Sequence, residues 1–273
     1  MKPMLAATIK DLCDLRFPLL VTPKLDGIRC LKYNGEILTR RWKLVPNVHI
    51  RETLSSLPDG TDGELIVTGG FESTQSSVMT RAGTPDFRYH VFDMIGDGQY
   101  QNRVERIPSA PYIVPVLPIP VYSLAEFEAA EARYVEQGYE GIMARDATGP
   151  YKFGRSTMRE HWLLKYKRIL DSEATIIGFE EQMQNNNPIV RDIFGRAKRP
   201  GGKSLHTPKG TLGSLICLDG AMTVHVSGMD DELKQEIWDN KEMYLGRIIT
   251  YLYQGIGSQG HPRFPRFKGF RLD

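Results

Sequence analysis

A lysine that could act as a nucleophile lies in residues 22–29, which read TPKLDGIR. The amine of a lysine attacks electrophiles once it has lost its proton, and nearby cations or a metal ion increase the fraction of an amine that is neutral. The same pattern is typical of a surface turn, since Asp-Gly is a strong turn dipeptide and lysine is ordinarily exposed. Lys24 is therefore a candidate for covalent chemistry, and the other motifs have to distinguish the two interpretations.

Two further lysines have a spacing that suits a bound phosphate. Lys165 and Lys167 alternate along a predicted strand, with Tyr166 between them. Because successive side chains of a strand point to opposite faces, both ammonium groups should lie on one face. A polar outer face of a strand, with no ligand, is the alternative interpretation.

A larger group of cations lies in residues 185–214, a segment rich in Asn, Gly and Pro. Its basic residues, set against the single acid Asp192, are Arg191, Arg196, Lys198, Arg199, Lys203 and Lys209. A flexible basic segment can neutralise the phosphates of a nucleic acid without reading its bases. A solvated loop is the competing interpretation.

The composition is that of a globular protein with one large or two ordinary domains. The chain has 273 residues, of which 41% are hydrophobic and 25% charged, and its formal net charge is only +2. Any attraction to nucleic acid must therefore come from where the cations lie. The cysteines, Cys13, Cys30 and Cys217, are far apart and odd in number, which favours a reducing compartment. No secretory or membrane-spanning apolar run is evident, so we expect a cytosolic protein.

Local patterns position the first lysine on mixed α and β structure. Residues 19–38 read as a strand, a tight turn and a hairpin around Asn34-Gly35, which puts Lys24 at the edge of a sheet. A helix over residues 48–57 and an apolar strand over residues 89–95 are predicted next.

A capping box marks the most clearly defined helix. Ser123 and Glu126 form the box, Gly138 is the predicted C-cap, and a strand over residues 139–145 follows directly. Beyond Leu170 the pattern changes to short strands around one helix, residues 231–244, which predicts a small five-stranded barrel.

Several motifs, taken in order along the chain, resemble the motif set of the covalent nucleotidyltransferases. They are KLDGIR (24–29), LTRR (38–41), DGEL (62–65), YHVFDMI (89–95), YEGIMAR (139–145) and LLKYKR (163–168). One such motif could occur by chance, whereas the ordered set is a specific signal. Within that superfamily the chain is similar to the minimal ATP-dependent DNA ligases of the chlorella virus type, over nearly its whole length.

The resemblance implies an α+β fold with two domains. Residues 1–170 would form a nucleotidyltransferase (adenylation) domain with antiparallel sheets and flanking helices. Residues 171–273 would form an OB-fold β-barrel domain with a basic, latch-like insertion at about 185–213.

The resemblance also implies roles for the residues near the nucleotide. Lys24 would attack the α-phosphorus of ATP and form lysyl-AMP. The implied ATP-binding or AMP-binding residues are Thr22, Arg29, Glu64, Phe92, Lys165 and Lys167. Arg29 and Glu64 would contact the ribose and Phe92 the adenine, although an aromatic residue in an apolar strand is usually part of a core. Glu140 and Glu64 would lie near a divalent ion, Mg²⁺ or Mn²⁺.

Two further sets of residues are implied to meet phosphates. Arg263 and Arg271 would orient the pyrophosphate, which requires the second domain to swing about a hinge near Leu170. The residues implied at the nick phosphate and the DNA are Thr39, Arg40, Arg155, Arg191, Arg196, Lys198, Arg199 and Lys203. Thr39 departs from the serine of the nearest ligases but keeps the hydroxyl.

The predicted function is to seal nicks in duplex DNA through lysyl-AMP and DNA-adenylate intermediates. The expected partner is nicked double-stranded DNA, held without sequence preference by a monomer that closes around it as a clamp, in a bacterial cytosol or an infected host cell. An RNA ligase or an mRNA capping guanylyltransferase, which share the lysine, is the first alternative. A non-catalytic nucleic-acid-binding protein is the second.

Overall fold

The computed structural model describes residues 2–191, 197–199, 205–257 and 260–271. The chain divides into two compact units, Met1–Lys167 and Arg168–Asp273. Within the described residues, no helix combines the length and the apolar character needed to cross a membrane.

The first unit is built mainly from short strands. Its strands are β1 (Met4–Leu5), β2 (Ala7–Thr8), β3 (Leu19–Pro23), β4 (Ile28–Tyr33), β5 (Glu36–Thr39), β6 (Thr61–Val67), β7 (Phe87–Met94), β8 (Ile113–Pro115), β9 (Ile119–Val121), β10 (Ile142–Arg145), β11 (Gly154–Arg155) and β12 (Leu164–Tyr166). Its helices are α1 (Val48–Leu54), α2 (Gly70–Met79), α3 (Tyr100–Val104) and α4 (Leu124–Glu136).

These strands form two five-stranded sheets, each with its own core. The first sheet has the order β2-β12-β10-β3-β9, and its core includes Leu19, Ile142 and, from helix α4, Phe127. The second has the order β5-β4-β6-β7-β8, and its core includes Leu65 and Tyr89. A separate pair, β1 with β11, runs parallel and ties the beginning of the chain to residues 154–155.

The two local signals that the sequence gives most clearly are confirmed. Asn34 and Gly35, between β4 and β5, have φ angles of 50° and 77°, as a type I′ hairpin turn requires. The Ser123 hydroxyl accepts a hydrogen bond from the Glu126 amide at 3.2 Å, and Gly138 follows helix α4 with a φ of 88°.

Two helix predictions need correction. Helix α1 ends at Leu54 rather than at residue 57, because the next residues close i−3 turns ahead of Pro58. The helix predicted over residues 231–244 is broken at Asn240, whose side-chain amide donates to the Glu236 carbonyl at 2.9 Å and competes with the helical pattern.

The second unit forms one twisted five-stranded sheet with helices beside it. Its strands are β13 (Leu170–Asn185), β14 (Val190–Arg191), β15 (Ala197–Lys198), β16 (His206–Asp219), β17 (Met222–Val226), β18 (Ile248–Tyr253) and β19 (Arg266–Phe270), and its helices are α5 (Asp231–Asp239) and α6 (Lys241–Tyr244). The sheet order is β17-β16-β13-β18-β19. A parallel bridge between Ser227 and Arg266 joins the two edge strands, as in a small barrel.

The basic insertion is shorter as a loop than the sequence predicts. Strand β13 continues to Asn185, where it pairs with His206, so residues 206–213 belong to strand β16. The alternating pattern of β16 is interrupted by Pro208 and Gly210, and this is why the strand is hard to recognise in the sequence. Between these strands, β14 and β15 pair with each other in antiparallel register.

Candidate active site

Backbone hydrogen bonds hold Lys24 directly beside Glu140. Lys24 follows the end of strand β3, its amide donates to the Gly141 carbonyl at 2.8 Å, and the Glu140 amide donates back to the Lys24 carbonyl at 3.3 Å. Strands β3 and β10 pair immediately beyond this point, from Pro23 opposite Ile142 onward. The register of one strand pair therefore brings together two residues that are far apart in the sequence.

The side chains complete a three-residue ionic cluster. The Lys24 ammonium donates to one carboxylate oxygen of Glu140, and Lys167 Nζ donates to the other at 2.9 Å. The Lys24 side chain retains 23% of its exposure, and those of Lys167 and Glu140 retain 17% and 11%. Burial alone would raise the pKa of Glu140, but the hydrogen bonds and charges of the two lysines outweigh it and lower that pKa.

Arg29 and Glu64 lie opposite each other on strands β4 and β6. Arg29 forms a two-pronged ion pair with Asp62, with distances of 2.5 Å from Nε to Oδ1 and 2.6 Å from Nη2 to Oδ2. The Gly27 amide donates to Glu64 Oε2 at 3.2 Å. Burial raises the pKa of Glu64 to about 7, although the charges of Arg29 and Lys24 act to lower it.

Phe92 faces away from the core of its sheet. Along strand β7, Tyr89 and Val91 are fully buried in that core, whereas Phe92 is the unpaired residue of an irregularity in the β6–β7 ladder, between Val91 opposite Gly63 and Asp93 opposite Asp62. The Arg29 guanidinium lies 4.6 Å from the centroid of the Phe92 ring, which is a cation–π distance. The Phe92 ring lines the cavity described below, where a ligand can reach it.

A cavity of about 710 Å³ collects most of the predicted site residues of the first unit. Those that line it are Thr22, Lys24, Arg29, Thr39, Arg40, Glu64, Phe92, Arg155 and Lys165. This volume lies within the range of small-molecule binding sites. Glu140 and Lys167 do not line the cavity. Glu140 contacts Lys24, which does line it, and Lys167 contacts Glu140.

The cavity has a strongly cationic side. Burial and then the charges of Lys24, Arg155 and Arg40 lower the pKa of Lys165, which reflects how closely these cations approach one another. Burial and the charges of Arg29, Arg155 and Arg41 likewise lower the pKa of Arg40. Such an arrangement favours a polyanionic ligand that relieves the repulsion.

Several charged residues in and beside the cavity were not among those predicted from the sequence. Asp93 is fully buried and accepts hydrogen bonds from Arg103, at 2.9 Å from Nε, and from Arg145. Arg145 also lines the cavity, and its guanidinium lies 4.3 Å from the centroid of the Tyr100 ring. Arg145 ends the YEGIMAR motif and Asp93 lies in YHVFDMI, so both residues belong to motifs that the sequence had already indicated. No local pattern, however, indicates that their side chains pair.

Among the described residues, the site residues predicted in the second unit have their own hydrogen-bond or ion-pair partners, or lie in different strands. Arg271 pairs with Glu173, and the Arg263 amide donates to the Gly255 carbonyl at 2.9 Å. Arg199 donates to the Asn187 carbonyl at 2.6 Å. Arg191 and Lys198 lie in β14 and β15. Arg196 and Lys203 lie outside the described residues.

A divalent ion would have few protein ligands here. Among the described residues, no group of three or more His, Cys, Asp or Glu side chains could hold a metal ion. Mg²⁺ commonly uses only one or two carboxylates and takes its other ligands from water and substrate phosphates. In the structure the Glu140 carboxylate is bound by Lys24 and Lys167, so an ion that arrives with a nucleotide would share this carboxylate with the lysines.

Comparisons with known proteins identify the family. Residues 206–271 match the family model of the DNA ligase OB-like domain. The DNA ligase of Haemophilus influenzae is 24% identical over 259 residues, which are 91% of this chain and 85% of that protein. A crystal structure of the chlorella virus DNA ligase-adenylate is 33% identical, with a TM-score of 0.58, and the match covers 100% of this chain and 98% of that one. The chain belongs to the DNA ligase family.

This ligase also shares its fold with a Lig E DNA ligase, solved in a study of DNA binding with a minimal scaffold. That match has a TM-score of 0.75 at 24% identity and covers 99% of each chain. The comparisons confirm the predicted α+β fold, with an OB-like domain in the second unit, and the predicted ATP-dependent DNA ligase activity. They support that prediction over an RNA ligase or a capping guanylyltransferase.

Proposed function

We propose that the ligase seals nicks in duplex DNA by three transfers that use Lys24 as the nucleophile. The observation that carries this proposal is the Lys24 side chain at the edge of the cavity, in contact with Glu140 and beside Arg29, Glu64 and Lys165. A solvated turn lysine would have none of these neighbours. Residues 1–170 would act as the nucleotidyltransferase domain and residues 171–273 as the OB-fold domain with its basic insertion.

In the first transfer, Lys24 Nζ forms a bond to the α-phosphorus of ATP while the bond to pyrophosphate breaks. The ammonium must lose a proton before it attacks, and the cations that line the cavity beside it, together with a bound metal ion, would increase its neutral fraction. Lys165 and Lys167 would neutralise the α-phosphate. Thr22 lines the cavity near Lys24. This residue is 5% exposed and would pack against the nucleotide.

The nucleoside would occupy the part of the cavity formed by strands β4, β6 and β7. Glu64 and Arg29 would contact the ribose hydroxyls, and Phe92, which lines the cavity, would stack on adenine. In the second transfer, an oxygen of the 5′-phosphate attacks the α-phosphorus and Lys24 leaves as the amine. In the third, the 3′-hydroxyl attacks the 5′-phosphorus and AMP leaves. Each step needs positioning and charge neutralisation.

A bound Mg²⁺ or Mn²⁺ would neutralise phosphate charge during these transfers, with Glu140 and Glu64 as its protein ligands. Thr39, Arg40 and Arg155 would meet the nick phosphate on the cationic side of the cavity. Arg155 is steadied there by its hydrogen bond to the Ala6 carbonyl at 2.6 Å. The basic insertion, with Arg191, Arg196, Lys198, Arg199 and Lys203, would contact the DNA backbone as a latch.

At the scale of the whole enzyme, we propose a monomer that closes around nicked double-stranded DNA as a clamp. Arg263 and Arg271 would orient the pyrophosphate only during the first transfer. The ligase would act in a bacterial cytosol or an infected host cell.

The decisive test compares the wild type with Lys24→Arg and Lys24→Ala. The wild type should gain the mass of one AMP on Lys24 when incubated with ATP and Mg²⁺, and should seal a nicked duplex. Lys24→Arg keeps the cation for Glu140 but cannot act as an amine nucleophile near neutral pH, so both variants should lose labelling and sealing. AMP found on another residue would refute the assignment.

The same sealing reaction should be run on nicks in DNA, in RNA and in hybrid strands. Sealing of the DNA nick should predominate. A preference for RNA would contradict the proposed substrate while leaving the Lys24 chemistry intact.

A further inference from the structure

A closed ring of hydrogen bonds joins the beginning of the chain to the ribose side of the cavity. The Tyr151 hydroxyl donates to Asp62 Oδ2 at 2.7 Å and accepts from the Met4 amide at 3.3 Å. Asp62 in turn holds both prongs of Arg29, and Arg29 Nη2 lies 3.5 Å from the Met4 carbonyl. Asp62 is fully buried, so each of its partners matters for satisfying its charge.

The ring should restrict the orientation of Arg29, the proposed ribose residue that is bonded to Asp62. Asp62 can meet the Arg29 fork in one plane only if its own carboxylate does not rotate about the Cβ–Cγ bond. Arg29 occupies Oδ1 and Oδ2 from one side, and the Tyr151 hydroxyl fixes Oδ2 from another. A carboxylate with three directed donors is oriented more firmly than one with two.

We propose that Tyr151 is a positioning residue for nucleotide recognition, which orients Arg29 toward the ribose through the Asp62 carboxylate. The proposal rests on the proposed function, since it takes Arg29 as a ribose contact. Tyr151 itself does not line the cavity. Its effect passes through its two hydrogen-bond partners, chiefly the carboxylate of Asp62, whose other two donors belong to Arg29, and less directly the Met4 backbone.

Tyr100 provides a matched control in the same unit. It is a buried tyrosine, whereas Tyr151 is half-buried, and Arg145 packs on the Tyr100 ring as Arg103 approaches the ring of Tyr151. Its hydroxyl has no hydrogen-bond partner among the residues that the structure describes. Tyr151→Phe and Tyr100→Phe thus remove the same atom from similar surroundings, but only the first removes a link to Asp62.

The test measures KM and kcat for adenylation of Lys24 with ATP and with ATP analogues that lack either the 2′-hydroxyl or the 3′-hydroxyl. Loss of one hydrogen bond to a carboxylate should raise the KM for ATP by about threefold to tenfold in Tyr151→Phe, with little change in kcat. With the analogue that lacks the hydroxyl held by Arg29, the same variant should show no increase over wild type. Tyr100→Phe should match wild type with every nucleotide.

Two results would overturn the proposal. One is a KM for ATP in Tyr151→Phe equal to that of wild type, and the other is an equal increase for ATP and both analogues, which indicates a general structural effect. If Tyr151→Phe does not fold, 4-fluorophenylalanine at position 151, which fills the space of the hydroxyl but cannot donate to Asp62, should show the same dependence on the ribose hydroxyl. If the wild type is not labelled by ATP at all, the proposed function fails instead, so the two failures are distinguishable.

Discussion

Glu64 is the residue whose charge should set the pH dependence of nucleotide binding. Its pKa is raised to about 7, first by burial, so the carboxyl of the free enzyme gains a proton as the pH falls through neutrality. A protonated carboxyl accepts ribose hydrogen bonds less well than a carboxylate. Other steps of the reaction also depend on pH, so a variant that lacks only the Glu64 ionisation is needed as the reference.

We expect the ratio of kcat/KM for ATP between wild type and Glu64→Gln to fall from about pH 8 to about pH 6. The amide of Glu64→Gln keeps the shape but has no proton to gain, while all other groups of the two enzymes are the same. A pH-independent ratio would show that the carboxylate charge of Glu64 does not serve nucleotide binding.

The raised pKa of Glu64 should also make the stability of the folded protein depend on pH. The folded state binds the proton of Glu64 more tightly than the unfolded chain does, where a glutamate titrates near about 4.3. The stabilisation from this proton is fully present below that unfolded pKa and is lost as the pH rises through about 7. Glu64→Gln should therefore have a higher Tm than wild type at about pH 8, with the difference shrinking as the pH falls. Thermal unfolding of the nucleotide-free enzymes at both pH values measures this.

At the scale of elements, strand β10 must lie very close to strand β12 for Glu140 to contact Lys167. Gly141 makes this approach possible, because a Cβ atom there would lie 2.4 Å from the Tyr166 carbonyl oxygen and 3.1 Å from Lys167 Cα. Its φ of 142° is also one that residues with side chains rarely adopt. The glycine of the YEGIMAR motif is therefore required by the packing of two strands.

Gly141→Ala should reduce the rate of Lys24 adenylation about 100-fold, because displacement of reacting groups by about 1 Å costs that much. Gly138→Ala is the control, since Gly138 also has a positive φ, 88°, but a Cβ atom there would meet nothing within 4 Å. Both variants should lose some stability, and only the first should lose adenylation. Equal activity of the two would contradict the proposed role of the β10–β12 approach.

For the enzyme as a whole, the proposed function requires two arginines of the second unit, Arg263 and Arg271, to serve one chemical step and not the others. Arg263 and Arg271 of that unit would act on the pyrophosphate during adenylation of Lys24 by ATP. Pyrophosphate is absent once the AMP has been transferred, so these arginines should be dispensable later. Two substrates, ATP alone and a nick that is already adenylated, separate the steps.

Arg263→Ala and Arg271→Ala should lower the rate of adenylation by ATP at least about tenfold, while both still seal pre-adenylated nicks. Lys268→Ala is the control. Lys268 pairs with Asp171 at 3.5 Å much as Arg271 pairs with Glu173, and both ion pairs are about half exposed. Loss of both steps in Arg271→Ala, or an equal loss of adenylation in Lys268→Ala, would contradict the proposal.

Short-range patterns in the chain are sufficient to predict the local geometry and the kinds of chemistry available. The Asn34-Gly35 pair requires its hairpin, and Ser123 with Glu126 begins helix α4. Each of these features depends on side-chain period or backbone freedom within a few residues, so each is readable from the chain alone. The ordered motifs likewise supply the nucleophile, the carboxylates and the cations.

Which of these groups meet depends on the folded chain. Glu140 contacts Lys24 across 116 positions of the chain, and Tyr151 reaches Asp62 across 89. Such pairs depend on the register of strands that are distant in sequence and on how deeply each charge is buried. Neither quantity is encoded in a local pattern, because a shift of one residue in register would turn the same side chains to the opposite face of the sheet.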